Sequence, residues 1–168
     1  MTVEVLTPTE LIDGVNTRIV HDVGTVGGFV IEDTFDYYAQ DAAGNVWYFG
    51  EDTAEYDHGR LLGNEGSWRA GEEGASPGIA QEAASTVGDV YRQEFLLGSA
   101  EDQAEVVAVN SSATVPFGGA YNNCVETEET TALEPEVDEH KFYASGVGLV
   151  LTIDEVTGDR EELTNITP

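Results

Sequence analysis

From Phe29 to Gln40 the chain reads FVIEDTFDYYAQ, and apolar and polar residues alternate with the two-residue period of a strand. One face would hold Phe29, Ile31, Asp33, Phe35 and Tyr37, and the other Val30, Glu32, Thr34, Asp36 and Tyr38. The first reads as the core face, with Asp33 in its middle. Similar runs recur along the chain, separated by turn residues. Strands are predicted at Thr2–Leu6, Glu10–Ile12, Val15–Val23, Val46–Phe49, Val90–Leu97, Ala104–Asn110, Ala113–Phe117, Asn122–Thr131, Glu139–Ala144, Gly148–Val156 and Arg160–Ile166. Asp13-Gly14 is a strong two-residue hairpin signal, and GTVGG (24–28) and Ala42–Asn45 mark the next turns.

No segment carries a 3.6-residue apolar stripe, although Ala80–Ser85 has room for one short helical turn. Residues 51–89 are Gly-rich and lack sustained periodicity, so they read as one long loop. The expected fold is all-β, a single domain over residues 1–168. It has about ten strands joined mostly by hairpins and therefore antiparallel, in a curved sheet, half-open barrel or sandwich.

Composition changes this picture in one respect. Thirty-three Asp and Glu face six Lys and Arg, a formal charge of −27 on 168 residues. Lys141 is the sole lysine. With 40% apolar residues the chain still buries a core. The Debye length falls from about 10 Å at 0.1 M salt to about 3 Å at 1 M, so so acidic a surface suits concentrated salt. The charge points to a halophilic source. It excludes nucleic acid and anionic membranes as partners, because no basic patch exists to bind them. No run is long and apolar enough to span a membrane, and MTVEVLTPTEL has neither the basic nor the apolar region of an export signal. Cys124 stands alone, so it forms no internal disulfide and reads as a small buried hydrophobe.

Candidate chemistry gathers around the long loop. Glu51, Asp52, Glu55, Asp57 and His58 crowd one stretch, and Glu51, Asp52 and His58 are the candidate metal ligands, although their spacing matches no ligand motif. A calcium-loop reading from Asp41 fails, because Ala43 occupies a ligand position and Val46 the place of the required Gly. Asp33 on an apolar face needs a cation partner, a raised pKa or a bulge that turns it outward. With Glu51, Asp52 and Glu94 it completes the candidate acids and bases. Trp47, Phe49, Trp68, Arg69 and Tyr91 are the candidate ligand-binding residues, since aromatic rings beside charges suit a carbohydrate or a flat hydrophobic ligand. GxSxG, CxxC, HExxH and GxGxxG are all missing, so no cofactor is implied.

The blocks EDTFDYYAQDAAGNVWYFGEDT (32–53), GSWRAGEEGASPGI (66–79), GDVYRQEFLLGSAEDQAEVV (88–107) and TALEPEVDEHKFYASGVGLVL (131–151) resemble a widespread family of uncharacterised bacterial, often actinobacterial, proteins. The resemblance runs from about Val3 to Leu163 and implies an exported protein, but no reaction. The cytoplasm of a halophile is the alternative that the charge supports. This chain has Gln81-Glu82-Ala83 where the family is expected to carry an apolar-Pro segment. KFYASGVGLVL also resembles the last hairpin of lipoprotein-type curved sheets that hold acyl chains.

Three function classes follow. The first is a non-enzymatic binding or scaffold domain for a hydrophobic or carbohydrate ligand. The second is an enzyme using paired carboxylates at the sheet edge, and the third a domain stabilised by divalent cations.

Overall fold

The computed structural model describes residues 1–167. The fold is all-β, with thirteen strands and no helix among the described residues, in two antiparallel sheets that do not close into a barrel. The chain divides into two compact units.

The first unit, residues 1–83 and 92–101, is built on four long strands. These are β1 (Thr2–Ile12), β2 (Val15–Val26), β3 (Phe29–Gln40) and β4 (Val46–Asp57), paired in sequence order. Asp13-Gly14 joins β1 to β2 with both φ angles positive, 45° and 78°, the geometry whose twist matches that of the flanking strands. Gly27-Gly28 does the same between β2 and β3. A third such turn, His58-Gly59, lies inside the stretch expected to be loop.

That expectation is the main correction to the fold. β4 continues through Asp57, and β5 (Arg60–Gly63), β6 (Trp68–Arg69) and β7 (Gly78–Gln81) pair one after another along its second edge. Each piece is too short to show a period of its own, and the charges at 51–57 hide the alternation of β4. Ala80–Ser85 forms no helical turn.

The core of this unit gathers Ile12, Tyr37, Tyr48, Phe49, Trp68, Ala70, Ala75 and Ala100. Residues 92–95 press directly on β7, where a Cβ on Gly78 would sit 2.2 Å from the Gln93 carbonyl oxygen. Only the second half of β3 is covered. Phe29 and Ile31, expected in the core, are exposed, while Thr34, Asp36 and Tyr37 are buried.

The second unit, residues 84–91 and 102–167, has most of β8 (Val90–Arg92, its last residue counted with the first unit) and strands β9 (Asp102–Val115), β10 (Gly119–Thr131), β11 (Asp138–Ala144), β12 (Gly148–Asp154) and β13 (Arg160–Glu162). Their order is β13-β12-β11-β10-β9-β8. β9 runs unbroken through two stretches expected as separate strands. Ala113, Val115, Cys124, Phe142, Ala144, Val150 and Leu151 form its apolar cluster, so Cys124 is indeed a fully buried small hydrophobe.

Elsewhere on this sheet lies an ionic network. The Lys141 ammonium is 2.8 Å from Glu129 and 3.3 Å from Glu139. Glu129 is buried and accepts further hydrogen bonds from Thr127 (2.8 Å) and Tyr143 (3.1 Å). Burial opposes the charge on Lys141, but Glu129 and Glu139 outweigh it and hold the ammonium above its usual pKa.

Candidate functional site

β4 carries a bulge. Its register against β3 runs Asp36↔Glu51 and then Tyr38↔Tyr48, so Phe49-Gly50 inserts one extra residue. Gly50 has φ 125°, and a Cβ there would lie 2.2 Å from the Trp68 carbonyl oxygen. Glycine is what lets β6 approach so closely. Glu51 and Asp52, adjacent in sequence, then point to opposite faces of the sheet.

Asp52 faces Arg69. The Arg69 guanidinium grips it in two places, through Nε to Oδ1 at 3.1 Å and through Nη2 to Oδ2. Nη2 also donates to the Tyr37 hydroxyl (2.9 Å), which itself donates to Asp52 Oδ2 at 2.8 Å. Nη1 reaches Glu10 at 3.4 Å, and the guanidinium carbon lies 4.7 Å from the Tyr37 ring centroid. The Arg69 hydrogen bonds hold the Asp52 carboxyl below its usual pKa. Burial, then the Asp52 hydrogen bond, pushes the Tyr37 hydroxyl up.

Beside this network is a shallow cavity of about 230 Å³, lined by Leu11, Ile12, Asp13, Arg69, Ala70, Gly71 and Glu72. The Asp13 and Glu72 carboxylates have no hydrogen-bond or ion-pair partner among the described residues. The cleft therefore presents one guanidinium, already held in place from behind, and two uncommitted carboxylates. A second cavity, near Val90 and Thr130, holds only about 60 Å³.

The other face of β4 carries an acidic and aromatic cluster in which Asp36, Tyr48 and Trp68 are buried and Tyr38, Glu51 and Glu94 half-buried. The Tyr48 hydroxyl donates to Asp36 Oδ1 at 2.6 Å. The Tyr48 ring stacks on Tyr38 at 4.8 Å and meets Trp68 edge-on at 5.5 Å. Glu51 and Glu94 lie within electrostatic reach of the same hydroxyl. Burial raises the Asp36 pKa to about 6, opposed by the Tyr48 hydrogen bond and aided by Glu32. In the folded state Asp36 therefore keeps a proton that an unfolded aspartate releases near 3.8. Its stabilising contribution is full below that pH and is lost as pH rises through about 6. Asp52 works in the opposite sense. Its depressed pKa stabilises the fold above the unfolded value, and that contribution is lost on acidification.

The sequence-derived candidates thus separate. Of the four acids, Glu51 and Glu94 meet near Tyr48, Asp52 lies on the opposite face with Arg69, and Asp33 is elsewhere. Asp33 is half-exposed and pairs with His21 at 2.8 Å, and His21 stacks on Phe35. The carboxylate buried on β3 is Asp36, which the alternation placed on the outer face. A residue-by-residue parity count misses it because both faces of this half of β3 are covered.

Among the ligand-binding candidates, Phe49 and Trp68 are core residues. Trp47 is half-buried and donates its indole N–H to Asp41 at 3.0 Å. Tyr91 belongs to the second unit, and Arg69 alone lines the larger cavity. Asp13 and Glu72 went unnoticed because one reads as a turn residue and the other as one acid among many. Glu51 and Asp52 diverge, and His58 sits at the β4–β5 turn beside Asp57. No group of three or more His, Cys, Asp or Glu among the described residues is placed to hold a metal ion.

Asp41 is a structural turn residue. Its carboxylate accepts the amides of Ala43, Gly44 and Asn45 and the side chains of Asn45 and Trp47. The Trp47 and Asn45 bonds lower its pKa to about 2. Comparison of the chain with protein-family models, with curated proteins and with solved structures finds no match.

Proposed function

We propose that this protein is a non-enzymatic binding domain whose ligand is a small polar molecule of the carbohydrate class, held in the cleft at Arg69. The observation that carries the reading is the cavity of about 230 Å³ with Arg69, Asp13 and Glu72 on its wall. Carboxylates and a guanidinium accept from and donate to neighbouring hydroxyl groups. The Asp52–Tyr37–Glu10 cradle fixes Arg69 before any ligand arrives, which lowers the ordering cost of binding.

The volume suits about one sugar ring, so affinity is expected to be modest, with Kd on the order of 0.1–1 mM. A purely hydrophobic ligand is disfavoured by the charges on the wall. Acid–base catalysis by Asp36 is disfavoured by burial, because the carboxyl and its Tyr48 partner are both sealed from substrate.

The test is a calorimetric or saturation-transfer screen of neutral methyl glycosides at concentrations up to about 10 mM. At least one should bind saturably, and Asp13→Asn with Glu72→Gln should weaken it at least about fivefold. No saturable binder, or binding indifferent to both substitutions, contradicts the reading.

We further propose a salt-rich habitat, outside the cytoplasm as the family resemblance implies. The accessible surface is 9775 Å², about one acidic residue per 300 Å². Melting temperature is expected to rise on the order of 10 °C between about 0.1 and 2 M KCl as self-repulsion is screened. A flat melting temperature across that range contradicts it.

A further inference from the structure

We propose that the two-residue strand β6 is a proton-operated latch: it lies closed on β4 while Asp36 is protonated, and Trp68 lifts from Tyr48 when Asp36 ionises. The argument is geometric. β6 pairs with β4 at only two positions, Gly50↔Arg69 and Glu51↔Trp68. It does so at the bulge, where the ladder is already interrupted. On one side of β6, Arg69 is anchored to Asp52. On the other, the Trp68 ring is held by packing, although the neighbouring Ser67 hydroxyl ties the start of the strand to the Thr53 backbone at 2.9 and 3.2 Å. The Trp68 ring meets the edge of Tyr48, and its indole N–H is buried without a hydrogen-bond partner among the described residues. The Trp68 ring, which has no polar anchor of its own, is therefore the part of β6 that moves at lower cost.

Tyr48 connects this mobile side to Asp36 through the 2.6 Å hydrogen bond. The groups around Asp36 are acidic on almost every element that packs there. Glu32 on β3 acts on Asp36, Glu51 on β4 is its register partner, and Glu94 in the 92–101 segment reaches the Tyr48 hydroxyl, while β2 presents Asp22 and Arg18 at register positions flanking Val20. Arg18 is exposed and turns its guanidinium to the carbonyls of Leu6 and Thr7, away from Asp36. A negative charge on the buried Asp36, beside these exposed and half-buried carboxylates, is relieved by admitting water, and the joint with the fewest backbone pairs is β6. The proton affinity of Asp36, raised by burial to about 6, places the transition in a range that the surroundings can reach. This inference does not depend on the carbohydrate reading.

The test is hydrogen exchange by NMR, followed at the Trp68 indole N–H and the Ala70 amide, which donates to the Phe49 carbonyl at 2.9 Å. Protection factors at both should fall severalfold as pH rises through about 6. In Asp36→Asn, which keeps an acceptor for Tyr48 and cannot ionise, they should stay high and constant. Tyr48→Phe removes the hydrogen bond that opposes the shift, so the midpoint should move up by roughly one pH unit. Protection that is flat between about pH 5 and 8 overturns the proposal. So does the wild-type profile persisting in Asp36→Asn, which would assign the transition to another group.

Discussion

Lys141→Met is expected to cost about 3 kcal/mol or more of stability, read as a fall in the urea midpoint by far-UV circular dichroism with the slope unchanged. The reason is the state in which it leaves Glu129. That carboxylate is buried, and the Lys141 ammonium lies 2.8 Å from it. Thr127 and Tyr143 would remain as neutral donors, beside Glu139 and with Asp102 acting on the same carboxylate cluster. Removing one member of a buried pair strands the other, whereas neutralising both is far milder. Lys141→Met combined with Glu129→Gln should therefore recover most of the loss. Because the Glu129 carboxylate is buried, the cost should persist in about 2 M KCl, where surface repulsion is screened. A loss below about 1 kcal/mol, or one that molar salt abolishes, would mean that the network behaves as a surface ion pair.

Gly50→Ala should be comparably damaging for a steric reason. The new Cβ would lie 2.2 Å from the Trp68 carbonyl oxygen and 2.9 Å from the Arg69 Cα, and both are backbone atoms that cannot swing aside. The φ of 125° adds strain for any side chain. A loss of about 3 kcal/mol or more is expected, with detachment of β6 from β4. Both tryptophans lie in the first unit, so tryptophan fluorescence during urea unfolding reports this change. Gly14→Ala is the control. Its φ is also positive, at 78°, but nothing lies within 4 Å of the new Cβ, so only about 1 kcal/mol should be lost. Equal losses at the two positions would remove the close approach of β6 as the cause.

The two glycines also mark what was legible in the sequence. Asp13-Gly14 announces a hairpin because the turn chemistry is local, and the turn is where it was expected. Gly50 does not announce a bulge, because what it accommodates, the Trp68 carbonyl, arrives from a distant segment. The all-β class followed from alternation in Phe29–Gln40 and the later strands. The extension of β4 through Asp57 did not, since acids on both parities of EDTAEYD mask which face is covered.

The site was half visible. Arg69 stood out as a scarce cation near tryptophan, and Asp52 as a carboxylate at the end of a strong apolar run. Their pairing was not foreseen, because strand parity beyond a bulge cannot be counted from the sequence. Asp33 was singled out over Asp36 for the same kind of reason, since coverage of a strand face is set by tertiary packing. Lys141 and Glu129 meet across neighbouring strands from positions that no local pattern links.

The central claim is that the Arg69 cleft is a ligand site. The measurement that reaches it most directly is an amide chemical-shift titration of the folded protein with the methyl glycoside that binds best in the screen. Saturable shifts concentrated at Asp13 and at Arg69 through Glu72, with the second unit unmoved, are the predicted result. Shifts that never saturate, or that centre on residues away from this cleft, would contradict it.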